Sequence, residues 1–214
     1  MNVNDNTYVF LAPISDAELL PVYPNERQRE IELTKNEKLK REKYCVWKLL
    51  EYAIRECFGK SIRELEFTKT EGGRWNTPFC EFSLSHTDGV VAVAISHSPV
   101  GVDVEAVKPI RSEKTVERVL SRDEYNHYKS LSESEREEFF LSVWTKKEAI
   151  FKSLHKEAFL PNFDYSSVDA LTRTEKHTVS KLSVIVSVAV RHVNSKISQS
   201  TEILTKCVDF MNKL

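Results

Sequence analysis

The chain has no C-x-x-C pair, little glycine, no dominant charge and no long apolar run, and each absence excludes a class of function. Its cysteines, Cys45, Cys57, Cys80 and Cys207, are scattered. Neither a zinc cluster nor a dithiol redox pair is expected, and a reducing cytoplasm is the simple setting. The 5 glycines among 214 residues form neither G-x-G-x-x-G nor G-x-x-x-x-G-K-[ST], so both common backbone phosphate cradles are absent. A phosphate handled here must be held by side chains, a metal or short turns. With 31 Lys and Arg against 32 Asp and Glu, the formal charge of −1 argues against a globally basic nucleic-acid binder. The apolar run Val90 to Ile95 is far shorter than the roughly 18–20 residues of a membrane span. Met1 to Asn6 has neither a charged n-region nor an apolar h-region, so neither a membrane partner nor secretion is expected.

What is present suits a folded enzyme-sized chain, since 41% hydrophobic and 29% charged residues can bury a core. From Asn25 to about Cys57, Ile31, Leu33, Leu39, Val46, Leu49, Leu50 and Ala53 recur near helical spacing. Lys35, Lys38, Lys40, Arg41, Lys43 and Lys48 lie between them. This predicts one or two amphipathic helices with a basic face, which serves either as a solvated surface or as an anion site. Between Leu65 and Val104 the period shifts to two, predicting strands at Leu65–Thr68, Phe82–Ser85, Val90–Ile95 and Val100–Val104. Turns at Thr87-Asp88-Gly89 and His97-Ser98-Pro99 make the last three of these a meander. Helix returns after Pro109 and again from Ser132 to about Leu154, where Ser132 with Glu135, or Ser134 with Glu137, offers a capping box. A β-prone run covers Val184–Val190, and a last helix is expected near Thr201–Asn212. The pattern is α+β, in two similar halves, 1–99 and 100–214, that meet near residue 100.

Three segments carry chemistry. In Gly101-Val102-Asp103-Val104-Glu105 the two carboxylates fall on one face of a strand and the valines on the other. Hard oxygen ligands so placed suit Mg²⁺, although acidic residues on a wet strand face are common. In the helical Trp144-Thr145-Lys146-Lys147-Glu148-Ala149-Ile150-Phe151-Lys152, Trp144, Glu148 and Lys152 share a face, with Lys147 beside them. A surface Glu–Lys pair would leave the large Trp unexplained. In Phe82-Ser83-Leu84-Ser85-His86-Thr87 a strand ends on hydroxyls and an imidazole, which either donate to a phosphate or cap a turn.

In this order and separation, F-S-L-S-H-T, G-V-D-V-E and W-T-K-K-E-A-I-F-K resemble the 4′-phosphopantetheinyl transferases of the surfactin type. The resemblance implies a single chain of two pseudo-symmetric α+β halves with the active site at their interface. It makes Asp103, Glu105 and Glu148 the Mg²⁺ ligands, and Lys152, helped by Lys147, the contact to the coenzyme A phosphates. It places Ser85 and His86 at a coenzyme-binding strand end, and Lys69, Thr70, Gly73 and Arg74 at a basic turn before it. Lys35, Arg41 and Lys48 are candidates for the 3′-phosphate and adenine region. The reaction it implies moves the pantetheine arm of coenzyme A to a serine of an apo acyl or peptidyl carrier protein and releases adenosine 3′,5′-bisphosphate. Asp103, Glu148 and Lys152 would be the catalytic groups, and a monomer in the cytoplasm is expected. A metal-dependent phosphohydrolase acting on coenzyme A or a related nucleotide could use the same carboxylates.

Overall fold

A computed structural model describes residues 6–110, 112–155, 165–191 and 201–208. The chain runs β1 (Thr7–Pro13), α1 (Asn25–Glu32), α2 (Glu37–Phe58), β2 (Thr68–Lys69), β3 (Trp75–Asn76), β4 (Glu81–Thr87), β5 (Val90–Ser96) and β6 (Val100–Ala106). It continues through α3 (Glu113–Val119), α4 (Arg122–Ser130), α5 (Glu133–Ser153), β7 (Ala170–Val179), β8 (Leu182–Arg191) and β9 (Ile203–Cys207). This is the α+β class that the residue pattern predicts. One sheet has the order β4-β5-β1-β9, a second β6-β8-β7, and β2 with β3 forms a small ribbon.

Two local expectations are corrected. The strands β4 and β5 form the predicted hairpin, but β6 leaves it and pairs with β8 in the second sheet, from Val100↔Val190 to Ala106↔Val184. Both edges of β5 are taken, one by β4 and the other by the distant β1, so no place beside it remains for β6. The stretch expected as a final helix is strand at Ile203–Cys207, parallel to β1 from Thr7↔Ile203 to Leu11↔Cys207. The open edge of β1 supplies hydrogen-bond partners that a short isolated helix would lack. Residues 209–212 of that expected helix lie outside the described residues.

The sheets face each other, with a helix behind each. Val91, Val93 and Ile95 of β5 point to the long helix α2, packing with Trp47, Leu50 and Ile54. The alternate residues Val90, Ala92 and Ala94 point the other way, to Val100, Val102, Val104, Val186 and Val188 of the second sheet. A strand covered on both faces reads as an unbroken apolar run, which explains Val90–Ile95. The helix α2 starts at Asn36, whose side chain accepts from the Leu39 amide, and ends at Gly59 in the left-handed conformation. Behind the second sheet lies α5, which begins with the predicted Ser132–Glu135 capping box and buries Ala149 and Ile150 against Ala189.

The closeness of α5 to β6 rests on one glycine. A Cβ on Gly101 would lie 1.9 Å from the Ala149 carbonyl oxygen and 2.6 Å from the Ser153 amide. Helix backbone cannot rotate aside as a side chain can, so Gly101→Ala must push α5 off the sheet. Overpacking of this kind costs about 1–3 kcal/mol. Urea denaturation is expected to show that loss as a lowered midpoint, and an unchanged midpoint would mean that α5 retreats freely. The same alternation that turns Gly101 toward α5 turns Asp103 and Glu105 that way too.

Candidate active site

Asp103 and Glu105 on β6 meet Glu148 and Lys152 on α5. Asp103 is only 4% exposed; its Oδ1 accepts from Lys152 Nζ at 2.7 Å and from Ser85 Oγ at 2.8 Å, while its Oδ2 is buried with no partner. Lys152 Nζ also donates to Ser85 Oγ at 3.2 Å and to the Val102 carbonyl at 3.1 Å, and stands 3.7 Å from Glu148. Glu105 accepts from Thr87 Oγ1 at 3.1 Å. Burial, then the neighbouring Asp103, push the Glu148 carboxyl up to about 7, against the opposing pull of Lys152. Burial and the same neighbour also raise Glu105. Three carboxylates that penalise one another's charge, with one lysine between them, are short of positive charge.

Among the described residues no group of three His, Cys, Asp or Glu converges on a common point for a metal ion. The donor set nevertheless fits a hard divalent cation, because it is all carboxylate oxygen and includes the orphaned Asp103 Oδ2. In this arrangement Lys152 supplies the positive charge nearest Asp103.

Beside the carboxylates opens a cavity of about 520 Å³, lined by Arg27, Lys43, Thr70, Gly73, Arg74, Trp75, His86, Phe151, Lys152 and His155 among others. Five residues singled out from the sequence therefore share it: Thr70, Gly73, Arg74, His86 and Lys152. Ser85 lies beneath, bonded to Asp103. His86 Nδ1 stands 3.4 Å from Glu42, and burial first, opposed by Glu42, holds its imidazole below the usual histidine range. Arg74 ties the end of α5 to β4 and β3: Nη1 donates to the Lys152 carbonyl at 2.7 Å, Nη2 to the Phe82 carbonyl at 3.3 Å and Nε to Asn76 at 3.0 Å. Its guanidinium thus grips protein acceptors at the rim of the cavity.

Other candidates are placed elsewhere. Lys147 is buried and donates to the Val119 carbonyl at 2.6 Å and to Glu124 at 2.7 Å, so it ties α5 to the preceding helices and does not line the cavity. Lys48 is buried on α2 and paired with Glu51 at 2.6 Å. Lys35 is exposed in the link between α1 and α2, and Arg41 donates to the Ser15 and Ala17 carbonyls. Trp144 stacks near Phe140 and, with Glu105, Ile110 and Leu141, lines a second recess of about 390 Å³.

Comparisons with known proteins cover part of the chain. Residues 99–195 match the family model of the 4′-phosphopantetheinyl transferase superfamily. The chain is 32% identical over 107 residues to "4'-phosphopantetheinyl transferase psf-1" of Bacillus pumilus, covering 49% of this chain and 46% of that protein. It is 31% identical over 121 residues to "4'-phosphopantetheinyl transferase ffp" of Bacillus subtilis, covering 55% and 54%. The aligned part spans about half the length of the curated relatives it matches. Over that part the chain is similar to 4′-phosphopantetheinyl transferases.

The superfamily segment contains Asp103, Glu105, Glu148 and Lys152, while the cavity's cationic wall precedes it. That wall includes two cations that sequence reasoning did not assign. Arg27 and Lys43 flank Glu30, at 3.1 and 3.2 Å, and Lys69 joins them at 2.9 Å. Helical periodicity marked the basic stretch but not which lysine turns inward, and one residue of phase separates a wall from a surface. Burial would raise the Glu30 carboxyl, but Lys69, Arg27, the Trp75 indole and Lys43 outweigh it and hold the group down at about 2. A carboxylate depressed on folding stabilises the fold above its ordinary range and loses that contribution as pH falls toward 2. Acid titration of Glu30→Gln is therefore expected to show a shallower loss of stability between about pH 4.5 and 2 than the parent. Superimposable acid limbs would remove Glu30 from the acid response.

Proposed function

We propose that this protein transfers the 4′-phosphopantetheine arm of coenzyme A to a serine of an apo acyl or peptidyl carrier protein, in a Mg²⁺-dependent reaction that releases adenosine 3′,5′-bisphosphate. The observation that carries the reading is the cluster of Asp103, Glu105, Glu148 and Lys152 at the edge of a cationic cavity, within the superfamily segment. In this reading residues 1–99 and 100–214 form two pseudo-symmetric halves with the active site between them. The correspondence of β1, α2, β4 and β5 with β6, α5, β7 and β8 supports it, because each set makes a hairpin flanked by its first strand. The enzyme acts as a cytoplasmic monomer.

Asp103, Glu105 and Glu148 would hold the Mg²⁺. Bound there, it would neutralise the pyrophosphate. The serine Oγ attacks the β-phosphorus, the bond to the leaving oxygen breaks, and that electron pair departs with adenosine 3′,5′-bisphosphate. Glu148 accepts the serine proton on a carboxylate oxygen. Lys152 exchanges Asp103 for phosphate oxygens. His86, Arg27 and Lys43 face the remaining phosphate charge, while Arg74 fixes the end of α5. No Ser, Cys or His of the enzyme is acylated or phosphorylated.

The test incubates the protein with coenzyme A, Mg²⁺ and a panel of apo carriers, and reads the mass of each carrier. Gain of one phosphopantetheine on the acceptor serine is the expected result. Coenzyme A consumed equally without a carrier would replace the transferase by a phosphohydrolase.

A further inference from the structure

Two buried sheet edges meet at the carboxylates, and neither pairs with the other through its backbone. The strand β4 ends one sheet and β6 ends the other. Between them runs a ladder of side-chain hydroxyls. Ser83 Oγ accepts from the Val102 amide at 3.0 Å, Ser85 Oγ from the Val104 amide at 3.4 Å, and Thr87 Oγ1 from the Ala106 amide at 3.2 Å. All three hydroxyl residues are buried, and their period of two matches that of the amides they serve. An edge amide left without a partner in such a seam would cost its full desolvation.

The last two hydroxyls have a second task. Each accepts from a β6 amide and donates its own proton to the neighbouring carboxylate: Ser85 to Asp103 at 2.8 Å and Thr87 to Glu105 at 3.1 Å. A hydroxyl that accepts from the backbone has its hydrogen directed elsewhere, so backbone register and carboxylate orientation are fixed by one atom. We infer that Thr87 is a positioning residue, which sets the register of β6 and aims Glu105 toward a divalent cation shared with Asp103. Ser83, with no carboxylate to orient, holds only the register. This inference rests on the metal-dependent reading above and adds to it the residue that holds a ligand in place. Thr87 touches neither substrate nor reacting atoms in that reading.

Thr87→Val keeps the shape and removes the hydroxyl, while Thr87→Ser keeps the hydroxyl and removes the methyl. Mn²⁺ serves as the probe ion, its binding to the apo protein followed by electron paramagnetic resonance without coenzyme A or carrier. Outer partners of metal ligands typically change affinity by about 10- to 100-fold, so Thr87→Val should weaken Mn²⁺ binding about tenfold or more and Thr87→Ser should restore most of it. Hydrogen exchange at the Ala106 amide should quicken in Thr87→Val and remain protected in Thr87→Ser. Ser83→Ala is the control for register alone. It should expose the Val102 amide and change Mn²⁺ affinity less than Thr87→Val does.

Unchanged Mn²⁺ affinity in Thr87→Val, or no recovery in Thr87→Ser, would overturn the inference. So would absence of Mn²⁺ binding by the parent protein. Mn²⁺ binding that depends on Thr87 in a protein that modifies no carrier would instead leave the positioning role standing and remove the transferase reading. If Thr87→Val does not fold, the Thr87→Ser and Ser83→Ala comparison decides: Mn²⁺ affinity lost in Ser83→Ala as fully as fold stability would make the ladder purely structural.

Discussion

Asp103→Ala is expected to abolish carrier modification, lowering turnover on the order of 10²–10³-fold, while leaving the fold as stable as the parent or slightly more so. The two halves of that expectation have different causes. Loss of turnover follows, in the proposed reading, from removing a ligand of the cation that would neutralise the reacting phosphates. Retained stability follows from the awkward state of Asp103 in the fold. Its Oδ2 is buried with no partner, and its charge raises the carboxyls of both Glu105 and Glu148. Removing a buried, partly unsatisfied carboxylate relieves repulsion at Glu105 and Glu148, and the abandoned Lys152, a quarter exposed, still has Ser85, the Val102 carbonyl, Glu148 and solvent. Turnover at saturating coenzyme A and thermal melting measured on the same preparation separate the two. Near-parent turnover at millimolar Mg²⁺ would remove Asp103 from the metal site, and a collapse of stability would make it a structural anchor.

The sequence made the chemistry legible wherever a local period was enough. Asp103 and Glu105 share a face because they are two apart on a strand, and Glu148 and Lys152 because they are four apart on a helix. The hairpin β4–β5 was readable from Thr87-Asp88-Gly89, and α5 from Ser132 and Glu135. What was not legible depends on distant partners. The departure of β6 from the meander follows from β1 holding the other edge of β5, and β9 is a strand because that same β1 has an edge to fill. Lys147 illustrates the limit of helical phase. It neighbours Glu148 in sequence, yet it points to Val119 and Glu124, since successive helical residues lie about 100° apart. Arg74 sits where a phosphate-binding cation was expected, but its donors meet the Lys152 and Phe82 carbonyls, a use that no turn motif announces.

That grip of Arg74 makes Lys152 an unusually clean position to test. Arg74 holds the backbone carbonyl of residue 152 at 2.7 Å, so Lys152→Ala removes the ammonium without releasing the end of α5. Two accounts of the ammonium then give opposite results. If Lys152 only clips β6 to α5 through Asp103 and the Val102 carbonyl, its removal should lower the melting temperature and leave turnover intact. If it leaves Asp103 for the phosphates during transfer, turnover should fall on the order of 10²-fold with little thermal change, because a desolvated cation at a phosphoryl group stabilises the transition state more than the ground state. The second outcome is expected. The ammonium is a quarter exposed on the cavity side, so it has room to turn, and its partner Asp103 is over-supplied with negative neighbours that a divalent cation would satisfy better. Lys152→Arg should recover only part of the loss, since a planar guanidinium cannot reproduce the three contacts of a compact ammonium with Ser85, Val102 and Asp103. Turnover of both variants at saturating coenzyme A and an apo carrier decides between the accounts, and near-parent turnover in Lys152→Ala would take this residue out of the chemistry.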